Sequence, residues 1–262
     1  MKSKIRIGAL ISGGGSNLQA IIDACEAGRI DGSVVFVGTD YPTAGGLKRA
    51  LKHDIPSWVV DYTAIMANGM QAEKGPDLPP DADIKALSAK QGLEKKDAKQ
   101  FKKRLSARVV AEAALLEKMR QMPFDLLVLA GFMRLLTPYF IDKVNGGADL
   151  PRIMNIHPAL LPAFPGTDGY GDTFSYGCKV AGCTVHFIDY GEDTGPIIGQ
   201  RAFAVAPGDT FESVKKKGLE QEWLLYPECV QLYAQNRLRL EKRAKCGHGA
   251  GPKNQTVVVI DP

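Results

Sequence analysis

Asn155-Ile156-His157 stands where a short β-rich run gives way to a proline-studded stretch, Pro158-Ala159-Leu160-Leu161-Pro162-Ala163-Phe164-Pro165. Successive side chains of a strand point to opposite faces, so Asn155 and His157 share one face while Ile156 turns into the packing. One amide and one imidazole are thereby aimed at a common volume, a hydrogen-bond donor beside a ring that can carry a proton. A loop leaving a buried strand is where an α/β enzyme keeps its chemistry. Downstream, Asp193-Thr194-Gly195-Pro196 sets a carboxylate on a turn.

A second feature lies near the N-terminus, where Gly13-Gly14-Gly15-Ser16-Asn17 separates an apolar run from a helical stretch. Glycines let a ligand approach the backbone, and the free amides of a helix start favour an anion. A phosphate is the natural guest. The spacing fits neither the dinucleotide fingerprint nor a Walker loop with its lysine, which disfavours NAD and ATP. Taken alone, the loop also reads as a tight turn capped by Ser16 or Asn17.

The elements that must position these groups follow from periodicity. Short β-rich runs at residues 5–11, 34–38, 57–60, 126–130 and 153–156 alternate with helical stretches at 17–26, 45–52 and 99–121. The last carries Phe101, Leu105, Val109, Leu116 and Met119 near one stripe. Such alternation predicts an α/β fold, a doubly wound, mostly parallel sheet with helices on both faces. Residues 183–188 and 197–205 read as two strands flanking a turn at Gly195-Pro196, and 211–243 as a long closing helical region broken or kinked near Pro227. Residues 62–97, rich in Gly and Pro with little periodicity, read as a surface insertion. Residues 244–262 form a tail with a strand candidate at 257–260. A single domain over 1–262 is expected.

Composition narrows the function. The chain has 33 Lys plus Arg against 29 Asp plus Glu, a net charge of only +4. No basic run is interleaved with aromatics, so nucleic acid is not expected as a partner. A small anionic substrate suits this balance better. The apolar run after Lys4 is too short for a signal peptide or a membrane span, which predicts a cytoplasmic protein. Five cysteines (25, 178, 183, 229 and 246) form no zinc-ribbon pair and are expected to be reduced. The four histidines are scattered without ligand spacing, so no metal site is predicted.

Six stretches resemble the folate-dependent formyltransferases, and they run in that family's order. They are Gly15-Ser16-Asn17-Leu18-Gln19-Ala20, Leu129-Ala130-Gly131-Phe132-Met133-Arg134, Asn155-Ile156-His157-Pro158-Ala159-Leu160-Leu161-Pro162, Val185-His186-Phe187, Asp193-Thr194-Gly195-Pro196-Ile197-Ile198 and Glu220-Gln221-Glu222. The resemblance implies a Rossmann-related fold and transfer of a formyl group from 10-formyltetrahydrofolate to the amine of 5-phosphoribosylglycinamide, in purine synthesis. It makes Asn155, His157 and Asp193 catalytic. It also implies that Gly15, Ser16 and Asn17 cradle the substrate phosphate and that Glu222 accepts from ribose hydroxyls. Met133, Arg134, Leu135 and Leu136 would line the pteridine slot through their main chain, with Asn155, Asp189 and Asp193 beside it. Arg108 would stand near the folate's carboxylate tail. His186 would pack beside the site. An amine adding to a formyl carbon builds charge on oxygen and must shed a proton, which agrees with a donor amide and an imidazole held by a carboxylate.

The chain departs from the family where a His-Thr pair usually follows Pro165-Gly166, and carries Thr167-Asp168-Gly169-Tyr170-Gly171-Asp172 instead. Competing expectations are a 10-formyltetrahydrofolate hydrolase, in which water takes the amine's place, and a noncatalytic folate or phosphate binder. The Gly-Ser-Asn loop and Glu222 argue against the hydrolase, because water needs no phosphate site. A homodimer is compatible with the sequence and not required by it.

Overall fold

A computed structural model describes residues 4–71, 75–91, 98–244 and 254–262. Five strands pair in parallel: β1 (Ile5–Ile11), β2 (Gly32–Thr39), β3 (Ser57–Val59), β4 (Leu126–Leu129) and β5 (Ile153–His157). Two antiparallel strands, β6 (Val180–Phe187) and β7 (Ile197–Ala204), extend the sheet beyond β5. The order is β3-β2-β1-β4-β5-β6-β7. The chain winds outward first one way from β1 and then the other, so the topological switch lies between β1 and β4, where open α/β sheets place their ligands.

Alternation along the strands builds two cores. Ile7, Ala9 and Ile11 of β1 and Leu126 and Val128 of β4 pack on one face with α1 (Ser16–Glu26), α2 (Gly46–Lys52) and α8 (Phe211–Ala234). Leu10 of β1 and Leu127 and Leu129 of β4 turn to the other face, under α3 (Tyr62–Gln71), α5 (Ala98–Arg120) and α6 (Pro138–Asn145). A third cluster joins α4 (Ile84–Lys90) to α5 and α6 through Leu87, Leu105, Val109 and Tyr139. The sheet is therefore covered on both faces, as the sequence predicts, and the stripe on the long helix faces inward.

Four features differ from the sequence-based expectation. Within 62–97 the described residues carry α3 and α4, and Tyr62 is buried in the second core. The helices escape periodicity because each is short. The closing helix ends at Ala234 rather than near 243, and runs on as helix through the buried Pro227. Asn236 then takes a left-handed conformation (φ 55°), and β8 (Leu238–Ala244) pairs antiparallel with β9 (Asn254–Ile260) in a separate two-stranded sheet. The period of two in Leu238-Arg239-Leu240-Glu241 is the signal that the helical reading absorbed. The short α7 (Gly169–Ser175) was also not foreseen. Cys25, Cys178, Cys183 and Cys229 are free, while Cys246 and His248 lie outside the described residues. No described helix is long and apolar enough to cross a membrane.

Candidate active site

A cavity of about 560 Å³ opens at the C-terminal ends of β1, β4 and β5. From one side it is lined by Gly13 to Asn17, from another by Leu129 to Leu136, and beneath by Asn155 and His157. Asp189, Glu192 and Asp193 come from the β6–β7 connection, Tyr170 from α7, and Glu222 from α8. Tyr226, one turn beyond Glu222, donates its hydroxyl to the carbonyls of Met154 (2.7 Å) and Leu129 (3.2 Å). That contact ties α8 to the end of β4 and to β5 and so fixes where Glu222 stands.

The glycine loop forms an open helix start. Gly15 is left-handed (φ 69°), and a Cβ there would lie 2.9 Å from Gly46 Cα, so only glycine fits. No side chain caps α1. The capped-turn alternative is thereby removed, and the first-turn amides with their dipole face the cavity as an anion site.

Asn155 and His157 share a face, as strand alternation requires, with Ile156 in the first core. Cross-strand pairing sets Asn155 opposite His186 of β6. His186 is fully buried, and burial lowers its pKa, so the ring is neutral. Its Nδ1 lies 2.9 Å from the Phe187 carbonyl, which can only accept, so Nδ1 bears the hydrogen. Nε2 then accepts from Asn155 Nδ2 at 3.2 Å. This pairing fixes the Asn155 amide, leaving its second N–H and its oxygen for the cavity. Sequence reasoning left His186 beside the site without a task; the cross-strand register supplies one.

His157 is buried with both nitrogens engaged. Nε2 lies 2.8 Å from the Phe164 carbonyl and must donate to it. Nδ1 stands 3.2 Å from Asp193 Oδ2, so any further proton is shared between ring and carboxylate. Asp193 is left-handed (φ 54°), and Oδ2 also accepts from Gly166 N–H at 2.9 Å. The Asp-Thr-Gly-Pro turn thus delivers its carboxylate to the histidine. A Cβ at Gly195 would lie 1.8 Å from the Phe187 carbonyl, so the turn needs glycine there.

Glu222 is 5% exposed, and burial raises its pKa against the opposing pull of two donors. Asn17 Nδ2 donates to Oε2 (2.6 Å) and Tyr170 O–H to Oε1 (2.7 Å). Along 133–136, Met133 N–H donates to Ser12 Oγ (2.9 Å), and the Leu135 carbonyl accepts from Arg108 Nη2. Arg108 therefore braces the slot from behind and is not among the residues lining the cavity. Arg134 pairs with the buried Asp40 at 2.5 Å and lies over the Tyr62 ring. Asp189 accepts from Thr194 Oγ1 (2.7 Å), which folds the loop back on itself. Away from the cavity, Asp23, Glu26 and His53 converge on the surface, already held by one another and by Gln19.

Residues 5–230 match the formyl transferase family. The chain belongs to that family. Among its formyl transferase relatives, the phosphoribosylglycinamide formyltransferase of Bacillus subtilis is 33% identical over 222 residues, covering 84% of this chain and 90% of that protein. The trifunctional purine biosynthetic protein adenosine-3 of Chironomus tentans is 32% identical over 92% of this chain, but the chain spans only 14% of that protein's length. The crystal structure of glycinamide ribonucleotide transformylase 1 from Symbiobacterium toebii superposes with a TM-score of 0.73 at 35% identity, covering 100% of this chain and 96% of that one.

Proposed function

We propose that the cavity transfers the formyl group of 10-formyltetrahydrofolate to the amine of 5-phosphoribosylglycinamide, a step of purine biosynthesis. The observation that carries this reading is the convergence, in one cavity, of an uncapped helix start with the Asn155, His157 and Asp193 set. A hydrolase needs the second and has no use for the first.

The phosphate sits on the amides of Gly15, Ser16 and Asn17, and Glu222 accepts from the ribose. The folate ring lies against 133–136, where Met133 and Leu135 are exposed (58% and 40%) and offer apolar surface in the lining. Met133 N–H and the Leu135 carbonyl are already engaged, so the ring meets the remaining main-chain groups of that stretch. Arg108 acts through Leu135, and Asp189 through the fold of its loop. As the amine adds to the formyl carbon, negative charge grows on the formyl oxygen. The free N–H of Asn155 is preset to meet it. The proton that the amine sheds passes to the His157 and Asp193 pair, and it goes on to N10 of the folate as the bond between N10 and the formyl carbon breaks, so that tetrahydrofolate leaves and the pair returns to its starting state. Every group in this sequence comes from one chain, and the cytoplasm is the compartment the reading implies.

The test is formyl transfer followed by folate absorbance, run with and without phosphoribosylglycinamide. Cofactor turnover that requires the amine, and is abolished in His157→Ala, is expected. Equal turnover without the amine, or none in either case, overturns the assignment.

A further inference from the structure

We infer that Tyr170, from the loop where this chain departs from its family, is a positioning residue that fixes Glu222 and, with Asn17, builds a two-acceptor edge selecting a vicinal diol over its 2-deoxy counterpart. This rests on the substrate reading above and adds a determinant to it.

Three observations converge. Each oxygen of the buried Glu222 carboxylate holds one donor, Asn17 Nδ2 from α1 and Tyr170 O–H from α7. The plane of the carboxylate is therefore set by two elements, and its remaining lone pairs stay available. Asn17 Oδ1 is a buried polar atom without a partner, on a residue that lines the cavity. Two adjacent acceptors with spare capacity match two hydroxyl donors. Finally, α8 is cut away for the tyrosine ring, since a Cβ at Gly218 would lie 2.1 Å from Tyr170 Cζ. Gly218 and Glu222 are one turn apart on the same face of α8, so one helix both admits the ring and presents the carboxylate that its hydroxyl reaches. The altered loop thus has a partner on α8.

A ligand lacking one hydroxyl would leave an acceptor buried and unpaired, and sites built to bond a hydroxyl discriminate strongly against its absence. Tyr170 acts through Glu222, so its removal should loosen that discrimination without touching the reacting centre. It should also change the acidity of the carboxylate. The groups facing Glu222 are Asn17, Tyr170, His157 and the Cys183 thiol on β6. Losing the Tyr170 donor leaves burial less opposed, which shifts protonation to higher pH.

Steady-state kinetics of the full chain with Tyr170→Phe test this. Relative to the parent, KM for phosphoribosylglycinamide should rise about tenfold, as for a lost hydrogen bond to a charged group, with kcat within about twofold and KM for 10-formyltetrahydrofolate unchanged. The preference for the ribosyl amine over its 2-deoxyribosyl analogue should fall about as far, and the acid limb of kcat/KM should move upward in pH. Tyr170→His, which restores a donor, should recover part of the preference. An unchanged KM, preference and acid limb in a folded Tyr170→Phe protein would overturn the inference while leaving the transferase reading intact; a parent chain with no transfer to the ribosyl amine would sink that reading first. If Tyr170→Phe fails to fold, calorimetry of both amines on the parent decides, and equal affinities refute the two-acceptor edge.

Discussion

Replacing Asp193 by Asn isolates the charge of the carboxylate from its shape. Asp193 sits at φ 54°, a left-handed conformation that Asn tolerates better than most residues, so the turn should survive. Its side-chain oxygen can still accept from Gly166 N–H, the contact now made at 2.9 Å. What disappears is the negative charge 3.2 Å from His157 Nδ1, in a pair whose side chains are 3% and 13% exposed and so poorly screened by water. An alanine would confound this loss with backbone strain and an orphaned amide. Acid–base assistance of this kind contributes about 10²–10⁴ in rate, or roughly 3–5 kcal/mol at about 1.4 kcal/mol per tenfold. The oxygen that keeps the Gly166 N–H is the one that faces Nδ1, so the ring meets a neutral amide acceptor, which holds the extra proton far less well than a carboxylate. Single-turnover formyl transfer reads the chemical step without interference from product release, and a thermal melt run in parallel shows that the fold persists. We expect a fall of at least a hundredfold in the single-turnover rate, with KM for phosphoribosylglycinamide within about threefold, since the phosphate and ribose contacts lie elsewhere. A folded Asp193→Asn protein that keeps its rate within about fivefold would refute the role given to the carboxylate.

Asn155→Ala removes one preset donor and should lower kcat by about 10²–10³ with little change in either KM; a raised KM at constant kcat would make Asn155 a binding residue only. Glu112, fully buried on α5 and bonded to Thr137 N–H (2.8 Å) at the start of α6, has its pKa pushed up to about 7 by burial. Between the ordinary 4.5 and about 7 the folded chain keeps a proton that the unfolded chain releases, so stability drains away as pH rises through that window, by roughly 3 kcal/mol. Glu112→Gln should gain on the parent in Tm from pH 5 to 8, and calorimetric melts showing a constant difference would contradict this. Gly8→Ala places a methyl 2.3 Å from Phe36 Cζ, inside an aromatic cluster with Trp58 and Phe124. Overpacking there should cost about 1–3 kcal/mol, seen as a lower urea midpoint at unchanged slope.

Local pattern made the strands, the long helix and the shared face of Asn155 and His157 legible, because burial repeats every two or 3.6 residues wherever a segment touches a core. It failed where two periods overlap, as at 234–244, and where a helix is too short to show one, as at 62–71. The site divides along the same line. That Asn155 and His157 converge follows from alternation alone; that His186 orients the amide does not, since it depends on cross-strand register between residues 31 apart in sequence. Tyr170 and Glu222 are separated by 52 residues, Asn17 and Glu222 by 205. Contacts of that span are decided by how helices seat on the sheet. The one available hint of the Tyr170 contact was compositional: an altered loop, and a glycine inside a long helix where its entropy cost demands a reason.

The cavity also poses a problem of charge. Asp168, Asp189, Glu192, Asp193 and Glu222 all line it, yet the substrate carries a phosphate. Of the two lining cations, Arg134 is matched by Asp40 and Lys215 stands exposed on α8 over the Phe211 ring. Positive potential then comes from Lys215 and from the first-turn amides of α1. Four of the five carboxylates are tied down by donors: Asp168 by Gly171 N–H, Asp189 by Thr194 and Gly191, Asp193 by Gly166 N–H, and Glu222 by Asn17 and Tyr170. Their charge is thus fixed in position rather than free to spread over the cavity. Phosphoribosylglycinamide is itself polar in the same sense, a phosphate at one end and, before it reacts, an ammonium at the other. The α1 amides and the Asp193 carboxylate then favour one orientation before any contact with folate is made. The phosphate is drawn to the α1 amides, and the nitrogen, once its ammonium has given one proton to water, lies beside Asp193, the carboxylate whose histidine partner is placed to take the second proton, shed as the amine attacks.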